Sequence, residues 1–144
     1  MRENDNIQIC VSHRIDLRSA EISNPLYHPV LCGSAFLKGN APPGFMRDDA
    51  GDNISERRMT FCEVTIQYWM WKNLQLDYYG LCHYRRYLAF SMPKRVIQNE
   101  YGHLIADYPT HRAQRTYGLL DEQAMRKKIT SCDILAARPA DVRS

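Results

Sequence analysis

No apolar run in these 144 residues approaches the roughly 20 needed to cross a bilayer. No apolar h-region follows the polar start Met1-Arg2-Glu3-Asn4-Asp5-Asn6. Neither a spanning helix nor a secretory leader is therefore expected. No CxxC occurs, and the five cysteines, Cys10, Cys32, Cys62, Cys82 and Cys132, are odd in number. Most sit in apolar runs, where a thiol packs as a small hydrophobe. That pattern speaks against a disulfide framework or a zinc site. It favours a reducing, cytoplasmic setting, with peripheral docking at the inner face of the membrane left open. GxGxxG, the P-loop, GxSxG and HExxH are all missing, which removes the common dinucleotide, NTPase, hydrolase and zinc-protease signatures. No DxD pair falls on a strand end, and no repeat or low-complexity tract is present. The net charge of +3 is too small to call for nucleic acid.

What is present is an ordinary globular composition, 44% hydrophobic and 24% charged, long enough for one domain over 1–144. One stretch organises it: Asp77-Tyr78-Tyr79-Gly80-Leu81-Cys82-His83-Tyr84-Arg85-Arg86-Tyr87. It begins as a buried-strand run and ends in imidazole, guanidinium and phenol groups. Open α/β sheets bind ligands at such strand ends.

Three further stretches support an α/β reading. Ile7-Gln8-Ile9-Cys10-Val11-Ser12-His13 alternates as a first strand, with His13 at its C-terminal end. There His13 is either a hydrogen-bonded structural histidine or the rim of a nucleotide pocket. Residues 14–28 read as a connection with a short helical turn near 17–22, and 29–36 as a second strand starting at a proline. Gly39-Asn40-Ala41-Pro42-Pro43-Gly44 is turn chemistry. The acidic loop Asp48-Asp49-Ala50-Gly51-Asp52-Asn53 precedes a helix expected over 55–74, with Asn53 and Glu56 in a capping-box arrangement or Ser55 as the N-cap. That loop either caps the helix or also serves a site, since clustered carboxylates accept sugar hydroxyls or a cation. Phe61, Cys62, Ile66, Tyr68 and Trp69 mark the apolar face of the helix. Trp69 and Trp71 together predict that its second half is embedded on nearly all sides. Glu63 faces solvent with its polar stripe or pairs inside with Arg85 or Arg86. Residues 91–120 read as a lid or an irregular excursion. A short helix follows over 121–129, and a last strand over 132–137. The expected class is α/β, a mainly parallel sheet flanked by helices.

The runs Asp49-Ala50-Gly51-Asp52-Asn53-Ile54-Ser55-Glu56, Phe61-Cys62-Glu63-Val64-Thr65, Tyr68-Trp69-Met70-Trp71-Lys72-Asn73 and Asp77 to Tyr87 resemble a known bacterial family. It is long catalogued as a domain of unknown function and found in capsular and exopolysaccharide clusters. Its pattern reads approximately D-x-G-D-N-I-S, C-E-L-T, Y-W-x-W-K-N and G-L-C-H-Y-R-R-Y. Val11-Ser12-His13-Arg14 resembles its first strand, which commonly ends in His-Lys. The similarity covers about residues 7–137. It implies a GT-A-like nucleotide-sugar-binding half and a glycosyltransferase moving a sugar from a nucleotide-sugar donor to a glycan or lipid-linked glycan acceptor. Arg57-Arg58 replaces a more usual Lys-Asn pair, a change expected to be superficial. Family domains run longer at the C-terminal end, so this chain looks like an N-terminal part, C-terminally incomplete, with the acceptor half and a catalytic base outside it.

On that reading the donor-binding candidates are His13, Asp48, Asp49, Asp52, Asn53, His83, Tyr84, Arg85 and Arg86. Glu63, Trp69 and Tyr87 are structural support, and Asp48 and Asp49 are the candidates for a divalent cation, Mg or Mn. Arginine suits a diphosphate because its planar fork binds phosphate oxygens in pairs. Strand alternation predicts that Arg85 and Arg86 point to opposite faces, one to the pocket and one to an internal partner such as Glu63. Two other classes stand beside the transferase: a catalytically incomplete module that binds a nucleotide sugar or phosphoglycan, and an RNA binder using Tyr84 to Tyr87, which lacks a broad basic surface.

Overall fold

A computed structural model describes residues 5–95, 98–101 and 103–137. The chain divides into two compact units, one over Arg2–Tyr87 and the other over Leu88–Ser144.

The first unit is a four-stranded, wholly parallel sheet in the order β3-β2-β1-β4, with β1 Ile7–Arg14, β2 Tyr27–Cys32, β3 Met46–Arg47 and β4 Tyr78–His83. The expected mainly parallel α/β class is the class observed. β1 is central, and its apolar residues are buried on both faces, as in sheets covered on both sides. β2 starts two residues earlier than expected and includes Pro29. β3 pairs with β2 only from Val30 onward, so on that side no ladder bond is lost at the proline. Gly80 on β4 faces Ile9, where a Cβ would come within 2.8 Å of Ile9 Cγ1, so glycine sets how closely β4 and β1 pack. The connection from β1 to β2 contains no helical turn; Asn24 shapes it by accepting the Leu26 N–H at 2.9 Å.

One face of the sheet packs on a helix. Cys10, Val30 and Cys32 form a core cluster with Ile66, Trp69 and Met70, flanked by Met46, Leu74 and Leu81. The single helix expected over 55–74 is three pieces: a 3-10 turn Ser55–Arg57, α1 Arg58–Phe61 and α2 Val64–Asn73. The break falls at Cys62, whose backbone takes φ 46°, ψ −129°. Its carbonyl accepts hydrogen bonds from the Thr65 hydroxyl at 3.0 Å and the Cys32 thiol at 3.2 Å, while the Thr65 hydroxyl also donates to Asp48. The helix therefore restarts where Thr65 reaches a buried carboxylate, a tertiary requirement with no local sign. Trp71 is 66% exposed, with the Lys72 ammonium 3.9 Å from its ring centroid, so α2 is embedded on one side rather than all round. Phe61 and Cys62 are exposed as well.

The second unit carries α3 His111–Thr116 and α4 Glu122–Ile129. Thr110 and Asp121 cap them by accepting the N–H groups of Ala113 at 3.2 Å and Ala124 at 3.0 Å. Apart from α3, the described part of 91–120 is irregular. The strand expected over 132–137 does not form: the segment finds no ladder partner among the described residues, and Ile134 is exposed.

Candidate functional site

The connectivity marks a candidate site. From β1 the chain runs to β2 and β3 on one flank, then returns to β4 on the other side of β1. The β1/β4 junction is thus a topological switch point, outside whose carboxyl ends ligands bind in open α/β sheets. Ser12 lies opposite His83 in the register, so His13, Arg14 and the residues after His83 share that edge.

β4 ends at His83, and the chain then turns back on itself. The Arg86 N–H donates to the His83 carbonyl at 2.8 Å and the His83 N–H to the Arg86 carbonyl at 3.2 Å. Arg85 and Arg86 are therefore turn residues, both exposed, and the strand alternation expected to divide their roles does not apply. Among the described residues neither is in an ion pair, and the expected internal partner Glu63 pairs with neither. Glu63 instead sits at the start of α2, where its carbonyl accepts the Ile66 N–H at 3.1 Å.

Tyr84 ties the edge together. It is buried, and its N–H donates to the Ser12 carbonyl at 3.0 Å. Its ring meets His83 at 4.2 Å, stacks with His13 at 5.9 Å, and carries the Arg85 guanidinium 5.1 Å from its centroid. Its phenol also interacts with Arg14.

Burial lowers the pKa of both histidines, which favours the neutral ring. His13 is buried, its Nδ1 lies 2.7 Å from Ser19 Oγ, and Phe45 meets its ring edge-on at 5.1 Å. Burial first, then the neighbouring His83, brings its pKa down to about 4. His83 is also lowered, chiefly by burial and further by Arg85 and Arg86, with Glu63 opposing. Its Nδ1 accepts the Arg85 N–H at 3.2 Å, which fixes the proton on Nε2 and orients the turn. His13 is thus a packed, hydrogen-bonded residue at the carboxyl end of β1.

The acidic loop turns inward. Asp48 is fully buried. Its Oδ1 accepts from the Ser34 N–H at 2.8 Å and the Ser55 hydroxyl at 2.6 Å; its Oδ2 accepts from the Gly33 N–H at 2.9 Å and the Thr65 hydroxyl at 2.7 Å. Asp49 is paired with Arg47, whose hydrogen bond holds its carboxyl below the usual carboxylate range. Asp52 accepts from the Tyr68 hydroxyl at 3.0 Å. Asn53 donates to the carbonyls of Asp49 and Gly51 and accepts the Ser55 N–H at 3.2 Å, an Asx turn in place of the expected capping box. Trp69 Nε1 donates to the Ala50 carbonyl at 3.0 Å, holding the loop to α2. Asp48 and Asp49 do not suit a divalent cation, since protein donors already occupy their oxygens. Among the described residues no three His, Cys, Asp or Glu side chains converge as a metal-binding group. Tyr87 packs edge-on against Tyr27 at 5.4 Å, a supporting contact.

Asp16 was not among the sequence candidates, and Arg58 looked superficial. The Asp16 carboxylate takes Arg14 in a two-point pair and has Arg58 at 3.9 Å. The Arg14 hydrogen bond brings Asp16 down to about 2. Arg58 is only 23% exposed, and its stem crosses the end of β2 at Gly33. There φ is 72°, and a Cβ would stand 2.1 Å from Arg58 Cδ, so glycine alone fits. The sequence signal was weak: an arginine after His13 and a glycine ending β2. Four guanidiniums, Arg14, Arg58, Arg85 and Arg86, thus gather at the C-terminal edge of the sheet with one paired carboxylate, Asp16, between the first two.

The sequence model of the family described as Domain of unknown function (DUF4422) matches residues 8–144. A solved structure described as the apo form of WbbM, a bifunctional glycosyltransferase, superposes with a TM-score of 0.72 at 32% identity. The likeness covers 85% of this chain and 21% of that one, so the chain spans about a fifth of its length. No curated protein matches. On this likeness the parallel α/β fold is GT-A-like.

Proposed function

We propose a donor-binding role for this chain, which belongs to the family described as Domain of unknown function (DUF4422). It holds the diphosphate of a nucleotide-sugar donor at the C-terminal edge of the sheet and serves transfer of the sugar to a glycan or lipid-linked glycan acceptor. The likeness to a glycosyltransferase structure supports the reaction class. The carrying observation is the His83–Arg86 turn at the switch point, which presents two exposed guanidiniums unpaired among the described residues.

The chemistry fits. As the glycosidic C–O bond to the donor phosphate breaks, negative charge grows on the leaving diphosphate, and fixed cations stabilise it most at that moment. Tyr84 and neutral His83 hold the turn in place before the ligand arrives, so little ordering remains to be done on binding. Capsular or exopolysaccharide assembly on the cytoplasmic side of a membrane is the setting that suits such an acceptor. Among the described residues, no helix is long and apolar enough to cross a membrane.

The second reading, a module that binds the donor without turnover, is favoured by one observation. Asp16, the carboxylate among the four cations, is engaged with Arg14 and therefore poorly placed to act as a base.

Calorimetry against a panel of nucleotide sugars tests the role. Arg85→Ala and Arg86→Ala should each weaken the best ligand about 10-fold or more, the scale of one charged hydrogen bond. Melting temperatures should stay unchanged, because both side chains are exposed. Unaltered affinity in both variants would overturn the role. Turnover of the bound donor with an acceptor separates the transferase from the binding module.

A further inference from the structure

We propose that Arg58 contacts the second phosphoryl group of the ligand, with Asp16 and Gly33 as positioning residues, so that the edge selects nucleoside diphosphates over monophosphates. This rests on the donor-binding reading above and adds a discriminating subsite to it.

Arg58 and Arg14 share Asp16 unequally. The fork of Arg14 is filled: Nε donates to Asp16 Oδ1 at 2.8 Å and a terminal nitrogen to Oδ2. Arg58 has only the 3.9 Å approach to Oδ1, and among the described residues its guanidinium makes no hydrogen bond. The side chain is 23% exposed, its stem covered at Gly33 while the fork still reaches solvent. A guanidinium held in place by its stem, with no hydrogen bond of its own, is open to the paired oxygens of an anion.

Its position is also held. The stem lies across Gly33 at the end of β2, and the Gly33 N–H is anchored by Asp48. Arg58 therefore sits over the β2 side of β1, whereas Arg85 and Arg86 project from the β4 side. Two strand spacings, roughly 10 Å, separate the two flanks, within the combined reach of long side chains converging on one diphosphate. Between them, Arg14 pairs with Asp16 at the end of β1 and Tyr84 stacks on the adjacent His13. A monophosphate can satisfy one flank; two phosphoryl groups can satisfy both.

The test compares a nucleoside diphosphate with its monophosphate by calorimetry on the full chain, using the base that binds best in a panel. The wild type should prefer the diphosphate by about 30-fold or more. Arg58→Gln, which keeps a stem over Gly33, should cut diphosphate affinity about 10-fold and leave monophosphate affinity within about twofold. Asp16→Asn should lower the preference partly and Asp16→Glu should restore it, which a general loss of stability would not do. If Arg58→Gln is poorly folded, Arg58→Lys serves instead: it keeps the charge but lacks the planar fork, and it should lose severalfold for the diphosphate alone. A wild type that binds diphosphates while the Arg58 variants keep its preference, or lose both ligands equally, overturns this assignment and leaves the donor-binding role standing. A wild type that binds neither ligand overturns both.

Discussion

Replacing Asp48 by alanine removes an acceptor on which four donors converge. Two of them, the Ser55 and Thr65 hydroxyls, have other options: Thr65 already reaches the Cys62 carbonyl at 3.0 Å, and a hydroxyl can rotate. The other two are the backbone N–H groups of Gly33 and Ser34, at 2.9 and 2.8 Å, and they cannot turn away. Leaving a buried N–H without a partner costs about 1–3 kcal/mol, so the pair costs about 4 kcal/mol. For a chain of this size that lowers Tm by about 10–15 °C. Asp49→Ala is the control. It removes a partly exposed pair with Arg47 and should cost about 1 kcal/mol or less. Circular-dichroism melts with urea titrations measure both. A stable Asp48→Ala protein that loses ligand affinity while melting like wild type would refute the scaffold role and return Asp48 to the binding site.

Two further outcomes follow from burial. His13 has a folded-state pKa near 4, below its ordinary 6.5, so the unfolded chain takes up the proton first. Its contribution is complete above about pH 6.5 and is lost as pH falls toward 4. The depressed Asp16 acts only below the ordinary carboxylate range, outside that window. Urea unfolding at pH 7.5 and 5 should therefore show a smaller pH effect in His13→Gln than in wild type, and equal effects would contradict the neutral, packed imidazole. Trp69→Ala should cost about 3–5 kcal/mol, as for a core aromatic, and Trp71→Ala under about 1 kcal/mol. The Trp71→Ala variant should also lose the solvent-quenchable, red-shifted part of the tryptophan fluorescence; similar losses of stability in the two variants would contradict the one-sided packing of α2.

Much of the fold was legible because local pattern and burial agree. A central strand buried on both faces is mostly apolar, and Ile7, Ile9, Cys10 and Val11 are, with only the half-buried Gln8 between them. An acidic start and a basic end mark α4, whose boundaries came within a residue. The candidate site was legible in part. The stretch from Gly80 to Tyr87 was placed at a strand end, and the structure puts its cations at the switch point. The division between Arg85 and Arg86 was misread because alternation assumes the strand continues. The chain leaves the sheet after His83, and two backbone hydrogen bonds make a turn there.

Residue type and periods of two or 3.6 were enough for the class of fold, the strand that leads into the cations and the acidic loop beside it. Tertiary structure alone decided which polar groups are spent inside. Asp48 and Asp52 lie in the same acidic loop, yet one is buried under four donors and the other takes a single phenol near the surface. Arg58 became part of the edge through a glycine twenty-five residues away that leaves room for its stem. Neither outcome is written in local pattern. Each depends on what lies within hydrogen-bond or van der Waals distance once the sheet has formed, and that is a property of the packed chain.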